Sequence, residues 1–327
     1  MSHYIGLDLG GTNIKAGVVD QGANVLASLS VPTPAASGPD AVIGAMADAA
    51  ARVSAKAGVT LDSVEGIGIG SPGPLDFDRG LVLALPNLPG WQNVPLTDRI
   101  AVATGRPTIL ENDANAAAFG EFWAGAGRDP AIHHLVMFTL GTGVGSGLIV
   151  DGQVIHGGFN LGGEGGHMIV DAGGRLCACG QRGCLESYAS ASHTARRAEE
   201  AIDRGEPSCL AEWRKDGAGN IEAKDVFDAA KAGDAVAERI VQETSKYLAV
   251  GCINICRLLD PQMIVFAGGM ILAGDYLFDL VRVEFKRQTW QLLDEKVQIV
   301  PAQLGNDAGF IGSAAVARDA RQRGRLG

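Results

Sequence analysis

Apolar and polar positions alternate in three short runs at the start of the chain. "YIGLDLGG" from Tyr4 predicts a strand, "TN" a turn, and "IKAGVVD" a returning strand. "NVLASLSVPT" predicts a third strand. The period then lengthens. The alanine-rich stretch 39–57 predicts a helix. "VEGIGIGSPG" predicts a buried strand leaving into a loop, and "PTILEND" another strand. "ANAAAFGEFWAG" predicts a helix that starts directly after it. A three-strand meander followed by alternating helices and strands describes an α/β domain.

The opening pattern then recurs. "HLVMFTLGTGVGSGLIVDGQVIHG" is again strand, glycine turn, strand and short third strand. Aligned on the turns, Asp8 falls opposite Thr139 and Asp20 opposite Asp151, which predicts a duplicated domain. Helices are expected around 188–204, 223–232 and 234–258. "QMIVFAGGM" predicts a strand ending in a glycine loop, "VQIVPAQLG" a strand, and "DAGFIGSAAVARDAR" a last helix. Two domains fit 327 residues, divided near the helix 114–125: 1–120 and 121–304.

Composition narrows the class. The 46 glycines are about twice average usage and cluster in turns. A net charge of −10 argues against nucleic-acid and anionic-membrane partners. No run approaches about 18 apolar residues, and "MSHYIGLDLGG" lacks a leader pattern, so a cytoplasmic protein is expected. Of six cysteines, Cys252 and Cys256 lie four apart on an expected helix and read as small core residues, and Cys209 stands alone.

Three constellations carry chemistry. A glycine hairpin aims backbone N–H groups at an anion, so the two hairpins suit one polyphosphate. Beside the first, Asp8 suits a Mg²⁺-bound water, Thr12 can donate to a phosphate oxygen, and Lys15 lies on the returning strand. His167, Cys177, Cys179 and Cys184 follow the spacing His-x9-Cys-x-Cys-x4-Cys. One imidazole and three thiols form a closed, structural tetrahedral zinc set, with a redox Cys-x-Cys as the alternative. In "ILENDANAAA", Glu111 and Asp113 flank Asn112 where a strand becomes a helix. That position suits either a helix cap or a general base.

"IGLDLGGTNIK", "TLGTGVGSG" and "IVFAGGM" resemble the phosphate and adenosine motifs of the sugar kinase, hexokinase and actin-like ATPase superfamily. With "ENDANAAAFGE", "GGEGGHM" and "CACGQRGCLE", the chain is similar to the ROK family (repressors, open reading frames and kinases), in particular its ATP-dependent glucokinases. The similarity runs from about residue 3 to about residue 317. It implies a two-domain actin-like ATPase (ribonuclease H-like) fold with an interdomain cleft. The helix in 305–327 would pack back on the first domain. It implies glucose phosphorylation at the 6-hydroxyl with ATP, Mg²⁺ and structural Zn²⁺, by a homodimer or homotetramer. Asp113 would be the base. Asn87, Asn112, Glu164, His167 and Glu186 would hold the sugar, and His167 would also bind the metal. Gly10, Gly11, Thr12, Asn13, Lys15, Gly141, Thr142 and Gly143 would hold phosphates, with Asp8 beside them and Gly268 and Gly269 near the adenosine.

Two departures are Gly165, where the family pattern has a bulky residue, and Ser146, in place of the third glycine of the second turn. Another hexose (N-acetylmannosamine, N-acetylglucosamine, fructose or mannose) stays open, because the shared residues address hydroxyls common to these sugars. A donor such as polyphosphate stays open too. A ROK repressor is disfavoured, because the first hairpin starts at residue 4 and the charge is wrong for DNA. So is a non-catalytic sensor, since "DLGGTN" and "GTGVG" are intact.

Overall fold

A computed structural model describes residues 2–85, 88–215, 220–291 and 296–326. The chain forms two compact units: Met1–Ala131, Gly147–Gly162 and Gln303–Gly327 make the first, and Ile132–Ser146 with Gly163–Ala302 the second. In chain order the first begins with β1 (His3–Leu9), β2 (Asn13–Asp20) and β3 (Val25–Pro32), then α1 (Gly38–Lys56) and β4 (Val64–Ser71). A small sheet of β5 (Leu75–Asp76), β6 (Leu81–Ala84) and β7 (Gln92–Pro95) precedes α2 (Leu96–Thr104). β8 (Thr108–Asn112) then runs directly into α3 (Asp113–Ala124).

Next come β9 (Leu135–Leu140), β10 (Val144–Val150) and β11 (Gln153–Val154). They are followed by α4 (Glu186–Ala189), α5 (Ala191–Asp203), α6 (Leu210–Lys215), α7 (Ala223–Lys231) and α8 (Ala235–Leu259). β12 (Met263–Ala267), α9 (Asp275–Gln288), β13 (Gln298–Pro301) and α10 (Ala308–Gln322) complete the chain.

The main sheet of the first unit has the order β3-β2-β1-β4-β8, and the second large sheet the order β11-β10-β9-β12-β13. The same permutation twice is the duplication that the two hairpins announced. In each sheet the fourth and fifth strands run parallel to the first. The stretch expected as one helix over 188–204 is two. The chain turns extended at Ser190 (ψ 157), whose Oγ caps α5 by accepting the N–H of His193 at 3.2 Å. The small sheet β5–β7 gave no pattern because its strands are two to four residues long.

Alternation in β1 and β4 sets the layers. Ile5, Leu7, Leu9, Ile67 and Ile69 face a core with Val42, Met46 and Val53 of α1. The other faces present Tyr4, Gly6 and Asp8 from β1 and Gly66, Gly68 and Gly70 from β4 to the C-terminal segment, chiefly α10. That contact is backbone on backbone. A Cβ on Gly6 would lie 1.7 Å from the Phe310 carbonyl oxygen, and one on Gly68 1.8 Å from that of Ser313. On the helix's other side, a Cβ on Gly312 would lie 1.6 Å from the Ala116 oxygen of α3. The "GIGIG" of β4 is therefore one strand with an apolar face and a face without side chains.

Glu121 of α3 fixes the approach to α10. It is fully buried, and its carboxylate accepts the backbone N–H groups of Ala126 (2.9 Å), Gln303 (2.9 Å) and Leu304 (2.7 Å).

Gly312→Ala must push α10 off α3, and a loss of roughly 3 kcal/mol or more is expected in denaturant unfolding. Gly44 also lies in a helix but has open space around its Cα. Gly44→Ala should stabilise by about 0.5–1 kcal/mol. Equal effects at the two sites would show that the close contact does not hold.

Candidate active site

The first glycine turn is tied down from β3. Gly10 N–H donates to the Asn13 carbonyl at 3.0 Å, Thr33 N–H to the Thr12 carbonyl at 2.8 Å, and Thr33 Oγ1 to the Gly10 carbonyl at 2.7 Å. Gly11, Thr12 and Asn13 are exposed. Asp8 sits opposite Lys15 on the β1–β2 ladder, and Lys15 Nζ donates to the Asn306 carbonyl at 2.7 Å. Asp8 also packs on Gly309 in the first turn of α10, whose partial positive charge suits a carboxylate. Burial nonetheless pushes Asp8 up to about 6; Lys15 pulls it down and the charge of Asp113 adds to the rise.

At the junction of β8 and α3 the two readings of "END" separate by residue. Asn112 is the cap: its Oδ1 accepts the N–H groups of Ala114 (3.0 Å) and Asn115 (3.2 Å). Asp113, the first residue of the helix, is therefore not needed as the cap. Burial raises its pKa, partly offset by the Ala114 N–H that Oδ1 accepts at 2.8 Å. Asp8 and Asp113 thus stand at the carboxyl ends of parallel strands, where open α/β sheets bind ligands.

Behind them lies a network that the sequence did not announce. Glu111 is buried, and its carboxylate accepts Asn112 N–H (2.9 Å) and Asn115 Nδ2 (3.0 Å) and pairs with His156 Nε2 at 2.8 Å. The His156 ring lies against Phe77, centroids 4.3 Å apart. Only the spacing of Glu111 and Asn115 was a sequence signal. His156 is 45 residues away. Trp91 is buried in the α1-side core. Asn87 lies outside the described residues.

In the second unit, Gly141 N–H donates to the Gly143 carbonyl at 3.0 Å, and the Gly141 carbonyl accepts Ala191 N–H of α5 at 2.8 Å. Glu186 reaches this turn: its Oε2 accepts Val144 N–H at 3.0 Å and its Oε1 accepts the Cys177 thiol at 3.5 Å. At the end of β12, Gly268 has φ 91° and would carry a Cβ 2.5 Å from the Leu140 carbonyl, so only glycine fits. A cavity of about 570 Å³ opens here, lined by Thr142, Ser192, Phe227, Gly269 and Met270 among others. It joins the second turn to the "FAGGM" loop; its walls from α5 and α7 carried no motif.

The ligand atoms of His167, Cys177, Cys179 and Cys184 all lie within 4.8 Å of one another. Cys177 Sγ is 3.7 Å from His167 Nδ1, and Cys179 Sγ 3.6 Å from Cys184 Sγ. Zinc–sulfur bonds of about 2.3 Å give a tetrahedron with edges of about 3.8 Å, so the residues fit a closed zinc set. Burial and the neighbouring thiols push Cys184 up to about 12, while the Gln181 backbone N–H lowers Cys179. Glu164 is exposed just before His167.

The family model described as ROK family matches residues 4–320. The chain belongs to the ROK family. It is 37% identical over 311 residues to a glucokinase of Halalkalibacterium halodurans, covering 94% of this chain and 93% of that one. Among solved structures it resembles the ROK hexokinase of Thermus thermophilus, with TM-score 0.85, 36% identity, and 98% and 99% of the two chains covered. It also resembles a ROK family glucokinase of Streptomyces griseus in complex with glucose and AMPPNP, with TM-score 0.76, 34% identity, and 97% and 100% covered. The α/β units with their repeated strand order are those of the actin-like ATPase fold.

The raised pKa of Asp8 has a sign that can be checked. Below about pH 4 the group is protonated folded and unfolded, and it costs nothing. From there to about 6 the cost of folding grows, and above that it is constant. Without Mg²⁺, Asp8→Asn should raise stability at pH 8 by about 1–2 kcal/mol and leave it unchanged at pH 4. A variant that melts lower at pH 8 would show that the charge of Asp8 supports the fold.

Proposed function

We propose that this ROK protein transfers the γ-phosphoryl group of ATP to the 6-hydroxyl of glucose, giving glucose 6-phosphate and ADP. The observation that carries the reading is the division of labour at β8–α3: Asn112 caps the helix, and Asp113 keeps a desolvated carboxylate beside Asp8 and the first glycine turn. Relatives named glucokinase and the neighbour solved with glucose and AMPPNP support the choice of sugar and nucleotide.

A sugar hydroxyl is a weak nucleophile, and Asp113 takes its proton as the oxygen–phosphorus bond forms and the bond to ADP breaks. The raised pKa suits a base that must receive a proton. The glycine turns at Gly10–Asn13 and Gly141–Gly143 offer N–H groups to the phosphates, and Lys15 and Thr12 add donors. The cavity beside Gly268 and Gly269 takes the adenosine. Mg²⁺, when bound, neutralises charge on the phosphates, and Asp8 would hold it through water. Asn112 keeps its amide group to donate to the sugar, and Asn87 is proposed beside it. Glu164, His167 and Glu186 accept or donate to the remaining hydroxyls. Zn²⁺ held by His167, Cys177, Cys179 and Cys184 would fix the segment that carries them. Thiols kept reduced for that purpose fit a cytoplasmic protein.

The test is ADP release from Mg-ATP with glucose, mannose, fructose, N-acetylglucosamine and N-acetylmannosamine. Glucose should give the highest kcat/KM; preference for an N-acetyl sugar would overturn the sugar assignment alone. Asp113→Asn should lose roughly 10²–10⁴ in kcat and bind glucose within about threefold of the parent. Substantial turnover in that variant would remove the base. Metal analysis should find one zinc per chain, and Cys179→Ser should lose it; a protein that is metal-free and fully active would remove the zinc.

A further inference from the structure

Ser146 lies on β10 and is buried. Its Oγ donates a hydrogen bond to the Gly163 carbonyl and accepts the Gly165 N–H at 2.7 Å. These are the backbone groups immediately before and after Glu164. The Glu164 carbonyl in turn accepts His167 N–H at 3.0 Å. Two residues earlier on the same strand, Val144 N–H binds Glu186. One stretch of β10 thus holds the carboxylate of Glu186 and the backbone on both sides of Glu164.

The same hydroxyl occupies the room that a side chain at 165 would need. A Cβ on Gly165 would meet Ser146 Oγ at 2.8 Å, Ser146 Cβ at 3.3 Å and Phe138 Cε1 at 2.9 Å. Phe138 is buried and stacked on Phe266, centroids 5.9 Å apart, so it has little freedom to withdraw. The serine at 146 and the missing side chain at 165 are therefore one coupled choice.

We propose that Ser146 is a positioning residue: it sets the place of Glu164 by tethering the chain on both sides of it, in a site that has exchanged a side chain at 165 for this tether, and it thereby sets the affinity for the sugar. The proposal rests on the reading of Glu164 as a sugar contact. It assigns Ser146 no contact with ATP and no part in proton transfer.

The experiment measures glucose affinity by calorimetry, without nucleotide, and steady-state kinetics beside it. Ser146→Ala keeps the Cβ and removes both hydrogen bonds. It should weaken glucose binding and raise the glucose KM about tenfold, leaving the ATP KM within about twofold and kcat within about threefold. Gly165→Ala alone should also weaken glucose binding, and adding Ser146→Gly should recover part of that loss, although Ser146→Gly in the parent costs affinity. Melting temperatures of the four proteins give the same cycle without any ligand and cover the case in which Ser146→Ala folds poorly. Unchanged glucose affinity in Ser146→Ala, equal effects on glucose and ATP, or additive effects at 146 and 165 would each overturn the proposal. A parent protein that binds glucose without turning it over, with binding weakened in Ser146→Ala, would sink the kinase reading and keep this one. Normal turnover with unaltered affinity would do the reverse.

Discussion

Much of the first unit depends on how closely helix α10 approaches the sheet and α3. A helix normally stands off a sheet by the length of two layers of side chains. Here Gly6 and Gly68 remove one layer and Gly312 opens the other side to α3, so carbonyl oxygens fill the space where Cβ atoms would be. Dispersion is gained only at such distances, and a close-packed interior leaves little room for a small shift. The contact fixes two things that matter for chemistry. It sets the first turn of α10 against Asp8, and it sets α3, whose first residue is Asp113, against the strand ends. Glu121 closes the arrangement by holding the chain that enters α10 with backbone hydrogen bonds to a fully buried carboxylate.

The cost of that packing is visible in the acids. Asp8 and Asp113 are both desolvated and both raised, and the charge of Asp113 adds to the rise at Asp8. A fold selected for stability alone would place neutral groups there. Perturbed acids at strand ends are commonly kept for holding a cation or receiving a proton, and the roles proposed for Asp8 and Asp113 are of that kind. The neighbouring Glu111 has a different part. It is buried, and Asn112, Asn115 and His156 surround its carboxylate. It acts as scaffold, holding the backbone from which Asn112 and Asp113 project.

How far the sequence revealed this depends on range. The hairpins, the His/Cys cluster and the "END" junction are local in sequence, so spacing and residue type were enough to find them. The duplication was legible because two turns of like composition recur, and the strand orders repeat as that requires. The glycines of β1 and β4 were legible only as a buried strand. Their purpose depends on Phe310, Ser313 and Ala116, far away in the chain, and periodicity carries no record of which element will lie on a face. His156 and the cavity at the "FAGGM" loop escaped for the same reason. The helix expected over 188–204 failed on a local detail: Ser190 is a good cap in the middle of an otherwise helical pattern. Ser146 and Gly165 looked like two unrelated departures, because a separation of nineteen positions hides that they touch.

The segment from Gly163 to Cys184 shows why a fold this size still recruits a cluster of thiols. Between Gly163 and Cys184 the chain has one 3₁₀ turn and two isolated bridges, with Ile169 and Leu176 exposed. It buries too little apolar surface to offset the entropy of ordering its backbone. Its middle is anchored instead by Asp171, whose Oδ2 accepts the hydroxyls of Tyr188 (2.9 Å) and Tyr247 (3.2 Å), two rings stacked 3.9 Å apart on α4 and α8. The Arg175 N–H donates to the same Tyr188 hydroxyl at 2.8 Å. These bonds hold the stretch as far as Arg175. Beyond it Cys177 N–H donates to the Gln181 carbonyl and Gly183 N–H to the Arg175 carbonyl, both at 2.8 Å, and the side chains of Cys177, Cys179 and Cys184 meet His167 at the tip. The tyrosine network, these backbone bonds and the thiol cluster thus act on one short segment, and Glu186 follows two residues after its last cysteine.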